Sequence, residues 1–588
     1  MLDIKITGGT IVDGSCRPGF QGDVGIRDGR IVAVGEVAEA ARETVDATGR
    51  VVAPGFIDTH SHYDAQVFWD PKLSPSCYHG VTTVFGGFCG FSIAPLTPDA
   101  ASYIMPMLAR VEGMPLETLK VGVPWSWTSF GEYLGLLDGK IGINAGFYAG
   151  HSPIRRIVMG ERAVGEEATP QDIEKMKVLL GQSLAEGAMG FSTSISPSHN
   201  DGDGQPVPSR WASHEEIVEL ASVVRDHPGT GLEMLPGIDF APGVPELITE
   251  FSLAANRPVN WNVLVVSGRP DAMDVAKRKL EITDYARSRG AEVIALTVPS
   301  PTDIFINLRL GVVLDALPGV WCEMFQWSPE KRLEKFKDPE FRKKLLADAD
   351  SLPATSELRG IIKFENYTVV SMGARKTNKY DGRRVGDIAA EEGRDPFDML
   401  MDIVVESNLD AVLMPTVSRD ARPIYEMRSQ LWSDDRTLIG GSDAGAHLDM
   451  IDTFACTSVM LAKGVREHGV ITLEEAIHLI TQRPATYYGL IDRGTLKPGY
   501  FADIVILDPA TIAKGPTYNR FDVPGGDVSR VYADAEGIGD VFVNGVQIVR
   551  DGEHTGKLPG TVLRSGKDTE TVTIDAMRAN KSQMEGAL

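Results

Sequence analysis

Cysteine is scarce in this sequence, and the few cysteines present lie far apart along the chain. The five cysteines among 588 residues are Cys16, Cys77, Cys89, Cys322 and Cys456, and no two of them form a CxxC pair. An odd, scattered set excludes a disulfide framework and a structural zinc ribbon. We therefore expect free thiols.

A surplus of basic charge and a long apolar run are also missing. Lysine and arginine number 58 against 81 acidic residues, a net charge of −23, which disfavours nucleic acid and anionic membranes as partners. The chain start lacks the basic and apolar stretches of a signal peptide, and no apolar run reaches membrane-spanning length. The sequence predicts a cytoplasmic protein. It also contains no GxSxG motif, which argues against a serine hydrolase of the familiar kind.

Both ends of the chain have the composition of short β-strands joined by tight turns. Residues 1–53 hold alternating apolar runs between glycines, and the same texture returns at 502–507 and 541–546. We expect 1–53 and 490–554 to complete one small β-sandwich. The polar residues 555–588 predict a C-terminal tail, either mobile or ordered by a partner.

Between these ends, apolar strand-like runs alternate with charged, helix-like segments. The eight runs lie at 56–61, 81–87, 143–149, 188–193, 230–235, 259–266, 291–298 and 437–442. They predict an α/β fold, a TIM (β/α)8 barrel over 54–489, although an open doubly wound sheet has the same alternation. A long gap before the last run contains further runs at 361–371 and 411–417 and predicts an insertion over about 300–430, such as a lid.

Two histidines, His60 and His62, end the first of these strands. Side chains alternate along a strand, so both should point the same way. At the carboxyl end of a barrel strand, two imidazoles facing one point can bind a divalent metal. Alternatively, the pair is a chance spacing of ordinary surface or core histidines.

The last strand delivers Asp443 and then His447 to its end. In a closed barrel this strand neighbours the first, which would bring Asp443 beside His60 and His62. A carboxylate there can bind a metal and move a proton between water and a leaving nitrogen. The alternative is a simple turn, since aspartate and glycine favour turns.

Four stretches, 53–62, 80–91, 440–443 and 490–503, resemble the amidohydrolase superfamily, particularly its D-aminoacylase (N-acyl-D-amino-acid deacylase) branch. The resemblance covers nearly the whole chain. It implies a zinc centre in which Cys89 contributes a thiolate, where other relatives use a carboxylated lysine. Without the resemblance, Cys89 would be a small buried apolar residue.

The chain departs from this branch at strands five and six. In the branch each ends in a metal-binding histidine, whereas 231–236 and 259–264 contain none, and the lysine that tends to follow strand six is missing. Glu233 or Asn262 could replace the lost ligands, but Glu233 is more simply a charge at a strand end. We therefore expect one essential zinc ion, bound by His60, His62 and Asp443 with Cys89.

Three further residues are candidates at the ends of strands three and four. His151 resembles a Gly-His motif of the branch and could orient substrate or polarise its carbonyl group. Arg155 could pair with a substrate carboxylate, although an arginine at a helix start is commonly a surface partner. His199 is either a metal or substrate residue or an ordinary loop histidine.

These residues and the resemblance together imply metal-dependent hydrolysis of a C–N bond, most simply that of an N-acyl-D-amino acid. Asp443 would act as general base and then general acid on a metal-activated water, and His151 or His447 would support the oxyanion. The missing lysine leaves another amide, a cyclic imide or a lactam as an alternative substrate. A non-catalytic binding or assembly module is the alternative from another class, and a homo-oligomer is expected only by analogy.

Overall fold

The computed structural model describes residues 1–237, 240–266, 268, 271–309, 314–325, 327–353, 356–372, 378–415, 421–526 and 528–585. Strands from both chain ends pair in a single nine-stranded sheet, with the order β25-β24-β23-β18-β5-β1-β2-β3 and β4 beside β1. Its strands are β1 (Leu2–Ile11), β2 (Phe20–Arg27), β3 (Arg30–Gly35), β4 (Ala41–Asp46), β5 (Val51–Pro54), β18 (Ile504–Leu507), β23 (Ile538–Val543), β24 (Val546–Arg550) and β25 (Glu553–His554).

The alternation of side chains along this sheet explains how it joins the rest of the molecule. On β18, Ile504 and Ile506 belong to a core internal to the sheet, together with Val52 of β5. The intervening Val505 and Leu507 belong to the main core of the protein. Successive side chains of a strand face opposite sides, so this sheet is buried on both faces here.

The predicted alternation of strands and helices is present, and the eight apolar runs all form parallel strands. They lie in two sheets, β6-β7-β8 and β17-β13-β12-β11-β10-β9. Only Tyr148 separates β8 from β9, so these two form one interrupted strand. The strands are β6 (Phe56–Asp58), β7 (Val81–Gly86), β8 (Asn144–Phe147), β9 (Ala149–Gly150), β10 (Gly190–Ser194), β11 (Gly231–Leu235), β12 (Val259–Leu264), β13 (Val293–Thr297) and β17 (Thr437–Ile439).

Helices connect these strands. Their starts follow local capping chemistry: Thr472, for example, caps α17 and forms a reciprocal pair with Glu475. The helices before the long gap are α1 (Tyr63–Gln66), α2 (Pro98–Val111), α3 (Leu116–Gly122), α4 (Phe130–Leu137), α5 (His151–Met159), α6 (Pro170–Ala185), α7 (His214–Val224), α8 (Val244–Ala255) and α9 (Ala272–Ser288); those after β17 are α16 (Cys456–Val459), α17 (Leu473–Ile480), α18 (Gln482–Tyr488) and α19 (Ile574–Glu585).

Residues in the long gap between β13 and β17 form a hydrophobic core separate from the main one, running from Ile306 to Leu413. A three-stranded sheet, β15-β14-β16, belongs to this region. Its elements are β14 (Tyr367–Ser371), β15 (Arg383–Arg384), β16 (Val412–Pro415), α10 (Val320–Met324), α11 (Pro329–Phe336), α12 (Pro339–Asp350), α13 (Val385–Glu392) and α14 (Pro396–Glu406), with α15 (Arg422–Trp432) leading back to β17. Two short pairs, β19 (Ala513–Lys514) with β22 (Ala535–Glu536) and β20 (Tyr518–Arg520) with β21 (Arg530–Tyr532), complete the strands.

The segment that we predicted as a C-terminal tail is packed on the protein. Leu563 is fully buried, and its backbone N–H donates to Ala145 O at 2.8 Å. Thr569 Oγ1 donates to Gly229 O, and Glu570 N donates to Gly489 O. The polar composition misled the prediction because backbone hydrogen bonds and a few apolar side chains suffice to hold this segment. Within the described residues, no helix is both long and apolar enough to cross a membrane.

Candidate metal centre

His60 and His62 lie at the carboxyl ends of the parallel strands, in the segment that follows β6. Ser61 between them donates from its N–H and its hydroxyl to Phe85 O of β7, at 2.9 and 2.7 Å. This anchoring, together with side-chain alternation, leaves both imidazoles on the other side of the segment. Their ring centroids are 5.1 Å apart, both are buried, and His60 stacks on Phe88 at 4.6 Å.

The loop after β17 brings Asp443 to the same two rings. Asp443 Oδ1 lies 3.4 Å from His60 Nε2 and 3.7 Å from His62 Nε2. Backbone hydrogen bonds fix this approach, because Asp443 N donates to His60 O and His62 N donates to Ala444 O. With 42% of its side-chain surface exposed, Asp443 is the accessible member of a group whose histidines are nearly closed off.

Cys89, in the loop after β7, completes the group. Its Sγ lies 3.7 Å from His60 Nε2, and the ligand atoms of His60, His62 and Cys89 all lie within 4.8 Å of one another. Glu233 accepts a hydrogen bond from Cys89 N at 2.9 Å and another from the Asn262 side-chain amide at 2.5 Å. Glu233 and Asn262 therefore lie beside the thiol, with each carboxylate oxygen of Glu233 already engaged.

Two of these residues have backbone conformations that side chains rarely adopt. Cys89 and Asp443 lie in the left-handed region, with φ of 55° and 48°. Such a conformation costs on the order of 1–3 kcal/mol and persists where the surroundings enforce it, often at functional sites. The loops after β7 and β17 are thus held in strained conformations at the two residues that they contribute.

Buried acidic groups surround the centre without a basic partner. Burial is the largest cause of a raised pKa at each: it raises the pKa of Asp58 to about 6 and of Asp64 to about 7, and with the Asp58 carboxyl it raises the pKa of Asp443 to about 7. Burial also raises the pKa of the Cys89 thiol, of Glu112 and of Glu233 well above their usual ranges. Among the described residues, no lysine or arginine contributes to these shifts. The site lacks positive charge, which a divalent cation would supply.

The histidines and the distances also suit a metal ion. Burial, with a smaller effect of His199, lowers the pKa of His60 to about 3, and burial lowers the pKa of His62. Both imidazoles are therefore neutral at physiological pH, with a nitrogen lone pair available. Ligand atoms bound tetrahedrally at about 2.0–2.3 Å are separated by roughly 3.3–3.8 Å. The distances from Asp443 Oδ1 to the two imidazoles, 3.4 and 3.7 Å, and from Cys89 Sγ to His60 Nε2, 3.7 Å, fall in this range. The donor set therefore fits a divalent metal.

Glu112 is a member of this surrounding that the sequence analysis missed. It directly follows α2 and is 3% exposed, and its Oε1 lies 3.6 Å from His62 Nδ1. No strand precedes it in the sequence, so the rule that placed the other candidates at strand ends gave no signal for it.

His447 and His199 lie near the centre but outside the group of ligand atoms. The backbone N–H of His447 donates to Glu112 O at 2.5 Å, and its Nδ1 is buried without a hydrogen-bond partner among the described residues. His199 Nδ1 contacts Ser194 Oγ at 2.8 Å, and its ring packs on Phe91. Burial lowers the pKa of His447 to about 4 and, with His447 and Arg210, that of His199 to about 3.

His151 and Arg155, in contrast, are not available to a substrate. His151 Nδ1 contacts Thr193 Oγ1 and its Nε2 contacts Glu216 Oε1, both at 2.9 Å. Arg155 is fully buried; its Nε donates to the same Glu216 oxygen at 2.7 Å, and its other nitrogens donate to backbone carbonyls. The predicted substrate contacts of both residues are thus not supported, because their polar atoms are already occupied.

Comparison with known proteins finds a matching family and several similar chains. The profile of the amidohydrolase family matches residues 43–311 and 337–537. A D-aminoacylase from Alcaligenes xylosoxydans xylosoxydans is 28% identical over 577 residues, 96% of this chain and 97% of that protein. A solved structure of D-aminoacylase, described with a binuclear metal centre, is 27% identical with a TM-score of 0.62, covering 96% of this chain and 100% of that one. The N-acyl-D-glutamate deacylase of Bordetella bronchiseptica, solved with zinc and a phosphonate inhibitor, is 26% identical with a TM-score of 0.62 and the same coverage.

Proposed function

Because this chain belongs to the amidohydrolase family, we propose that it hydrolyses the amide bond of an N-acyl-D-amino acid with one zinc ion. The observation that carries the proposal is the approach of Asp443, from the last parallel strand, to His60 and His62, from the first. The matched D-aminoacylase covers nearly the whole chain, which supports the same bond type and substrate class.

His60, His62, Cys89 and Asp443 would hold the ion, an imidazole, thiolate and carboxylate set that suits zinc. We propose one ion because the carboxylate at the end of β11 is engaged elsewhere. Both oxygens of Glu233 accept hydrogen bonds, from Cys89 N and from Asn262 Nδ2. Glu233 therefore supports the thiol, and Asn262 Oδ1, which is buried without a hydrogen-bond partner among the described residues, is the atom there that a second ion would use.

When bound, the metal supplies Lewis acidity, which acidifies water and polarises a carbonyl group. Asp443 moves the proton. Its carboxylate can accept a proton from the attacking water, as the water oxygen bonds to the amide carbon. Asp443 then gives that proton to the amide nitrogen as the C–N bond breaks, and the acid and the amine leave. Its exposure fits this role, since a substrate can reach it.

His447 is our candidate for stabilising the oxyanion. It is neutral, because burial lowers its pKa to about 4, and its position is fixed through the backbone by Glu112. A neutral imidazole held in place can donate a hydrogen bond to developing negative charge without reorganising.

We further propose that the parallel strands close into a (β/α)8 barrel over 54–489, flanked by a domain of 1–53 and 490–554, with an insertion over about 300–430. Closure is supported by contacts between the first and last strands. Thr59 Oγ1 donates to Ile439 O at 3.4 Å, and Asp443 N donates to His60 O at 3.2 Å.

Elemental analysis of the purified protein, combined with a substrate panel, tests the proposal. We expect about one zinc ion per chain and turnover of N-acyl-D-amino acids in preference to their L-enantiomers, neutral amides and cyclic imides. Asp443→Ala should lower turnover by about 10²–10⁴-fold, the usual contribution of a general acid–base group. Two ions per chain would contradict the single-ion centre, and turnover of cyclic imides alone would contradict the substrate. No bound metal, even after zinc addition, would favour a non-catalytic binding module.

A further inference from the structure

Glu112 occupies a position that is unfavourable for a carboxylate in two ways. It follows the last turn of α2, where the helix dipole disfavours negative charge. Its side chain is also buried, 3% exposed, where an ionised carboxylate needs a partner. A position that costs stability twice calls for a compensating contact.

That contact is with His62. Glu112 Oε1 lies 3.6 Å from His62 Nδ1, a close polar contact that is longer than a hydrogen bond. The other nitrogen of the same ring, Nε2, faces Asp443 Oδ1 at 3.7 Å. The ring of His62 thus lies between a buried carboxylate on one side and the candidate metal centre on the other.

His60 is held differently. Its Nδ1 is buried without a hydrogen-bond partner among the described residues, and its ring stacks on Phe88 at 4.6 Å with an interplanar angle of 11°. Packing on Phe88 fixes the plane of the His60 ring. At Nδ1 of His62, the contact that the described residues show is with the carboxyl group of Glu112. The two histidines therefore depend on different supports.

We propose that Glu112 is a positioning residue for the metal centre: its buried carboxyl group lies against Nδ1 of His62 and keeps the opposite ring nitrogen, Nε2, turned toward Asp443, where a metal would bind it. Carboxylates that orient metal-binding histidines in this way contribute about 10–100-fold to metal affinity. This inference rests on the metal site proposed above and adds a residue that acts through His62.

The backbone around Glu112 is fixed independently of its side chain. Glu112 O accepts a hydrogen bond from His447 N, and Arg110 in the last turn of α2 pairs with Asp315 at 2.9 Å. Removal of the carboxylate should consequently leave the end of the helix in place.

The test measures metal affinity by competition with a chelator, together with the visible absorption of the cobalt(II)-substituted protein. We expect Glu112→Ala to weaken zinc binding about 10–100-fold and to change the cobalt spectrum. Glu112→Gln keeps an acceptor for Nδ1–H, so its loss should be smaller. Glu292→Gln is the matched control: Glu292 is also a buried carboxylate, but it precedes β13 at the opposite end of the strands and pairs with Arg287. It should retain the parent affinity and spectrum.

Unchanged zinc affinity and cobalt spectrum in both Glu112 variants would overturn the inference while leaving the metal centre intact. If Glu112→Ala does not fold, Glu112→Met, which nearly keeps the side-chain volume but offers no oxygen to Nδ1, decides in its place. Equal losses in Glu112→Gln and Glu292→Gln would show a general effect of buried charge and would also overturn it. A parent protein that binds no metal would overturn both the inference and the proposed function.

Discussion

Two buried groups near the carboxyl ends of the parallel strands combine histidine with acid, yet they differ in what their polar atoms contact. The metal group comprises His60, His62, Cys89 and Asp443. The possible ligand atoms of His60, His62 and Cys89 lie within 4.8 Å of one another, and Asp443 Oδ1 lies 3.4 Å from His60 Nε2. The arginine group comprises His151, Arg155 and Glu216, in which one carboxylate oxygen accepts from both basic side chains.

The difference teaches which feature marks a functional site. The arginine group contains opposite charges and no unused nitrogen on His151 or Arg155, so it resembles a structural ion pair. The metal group has acidic pKa values raised by burial, neutral histidines and no basic partner among the described residues. A missing counter-charge, rather than the presence of histidine and acid, distinguishes the two.

The largest expected effect is that of His60→Ala. This change removes the imidazole that contacts both Asp443 and Cys89, so we expect loss of bound zinc and of turnover below detection. The variant should also unfold at a lower denaturant concentration than the metal-free parent, because the change removes a buried ring that packs on Phe88 and leaves a cavity. Metal content, turnover and chemical denaturation check this.

Retained zinc and turnover in His60→Ala would contradict the assignment of the metal group as the functional site. Zinc retained without turnover would instead assign His60 to substrate rather than to the metal. His214→Ala is a suitable control, since His214 lies on the surface and pairs with Glu250, which is also exposed.

A smaller effect, of a different kind, is expected for Arg155→Leu. The change leaves Glu216 buried without its arginine, and breaking a buried pair in this way costs about 3–5 kcal/mol. The free energy of unfolding from chemical denaturation should fall accordingly, while the folded variant still binds zinc with the parent stoichiometry.

Loss of zinc binding from folded Arg155→Leu, with little change in stability, would contradict a structural role for Arg155 and would place it in the functional site. Arg162→Leu provides the control. Arg162 pairs with Asp172 at 3.0 Å, but 42% of its side chain is exposed, so its loss should cost much less.

The sequence predicted the parallel strands because long apolar runs at strand length are a strong signal, and β6 to β17 begin and end within a few residues of the predicted runs. The packed segment at 555–573 was not predicted. It is held by hydrogen bonds to distant backbone carbonyls, such as that from the Thr569 hydroxyl to Gly229 O, and composition does not reveal these.

For the site, the strand-end rule predicted that His60, His62 and Asp443 would meet, and the structure brings them together. The same rule singled out Arg155, whose role depends on Glu216, 61 positions away in the chain. It missed Glu112 because that residue follows a helix. The sequence predicted which residues lie at strand ends. It did not predict which hydrogen-bond partner each polar atom has, because those partners are distant in the chain.

The smallest effect concerns pH, where the two groups should behave with opposite sign. Burial raises the pKa of Asp58 to about 6 and of Asp64 to about 7, so these carboxyls favour the protonated form in the folded protein. The stability that these two carboxyls contribute should thus be lost as pH rises through their folded pKa values. Burial also acts on Glu216, but His151 and Arg155 outweigh it and lower its pKa. The stability that Glu216 contributes is present above its unfolded pKa and lost only as pH falls through the folded one.

Between about pH 5.5 and pH 8, Glu216 stays ionised, whereas Asp58 and Asp64 beside the metal group titrate. Zinc favours the ionised forms of these acids and of the Cys89 thiol, and its binding releases protons. The gain in unfolding temperature on zinc addition should therefore be larger at the higher pH, with affinity rising roughly tenfold per pH unit for each proton released. Glu216→Gln should show the same dependence in this window. An equal or smaller gain at the higher pH would mean that the buried acids do not sense the metal, and the contrast between the two groups would fail.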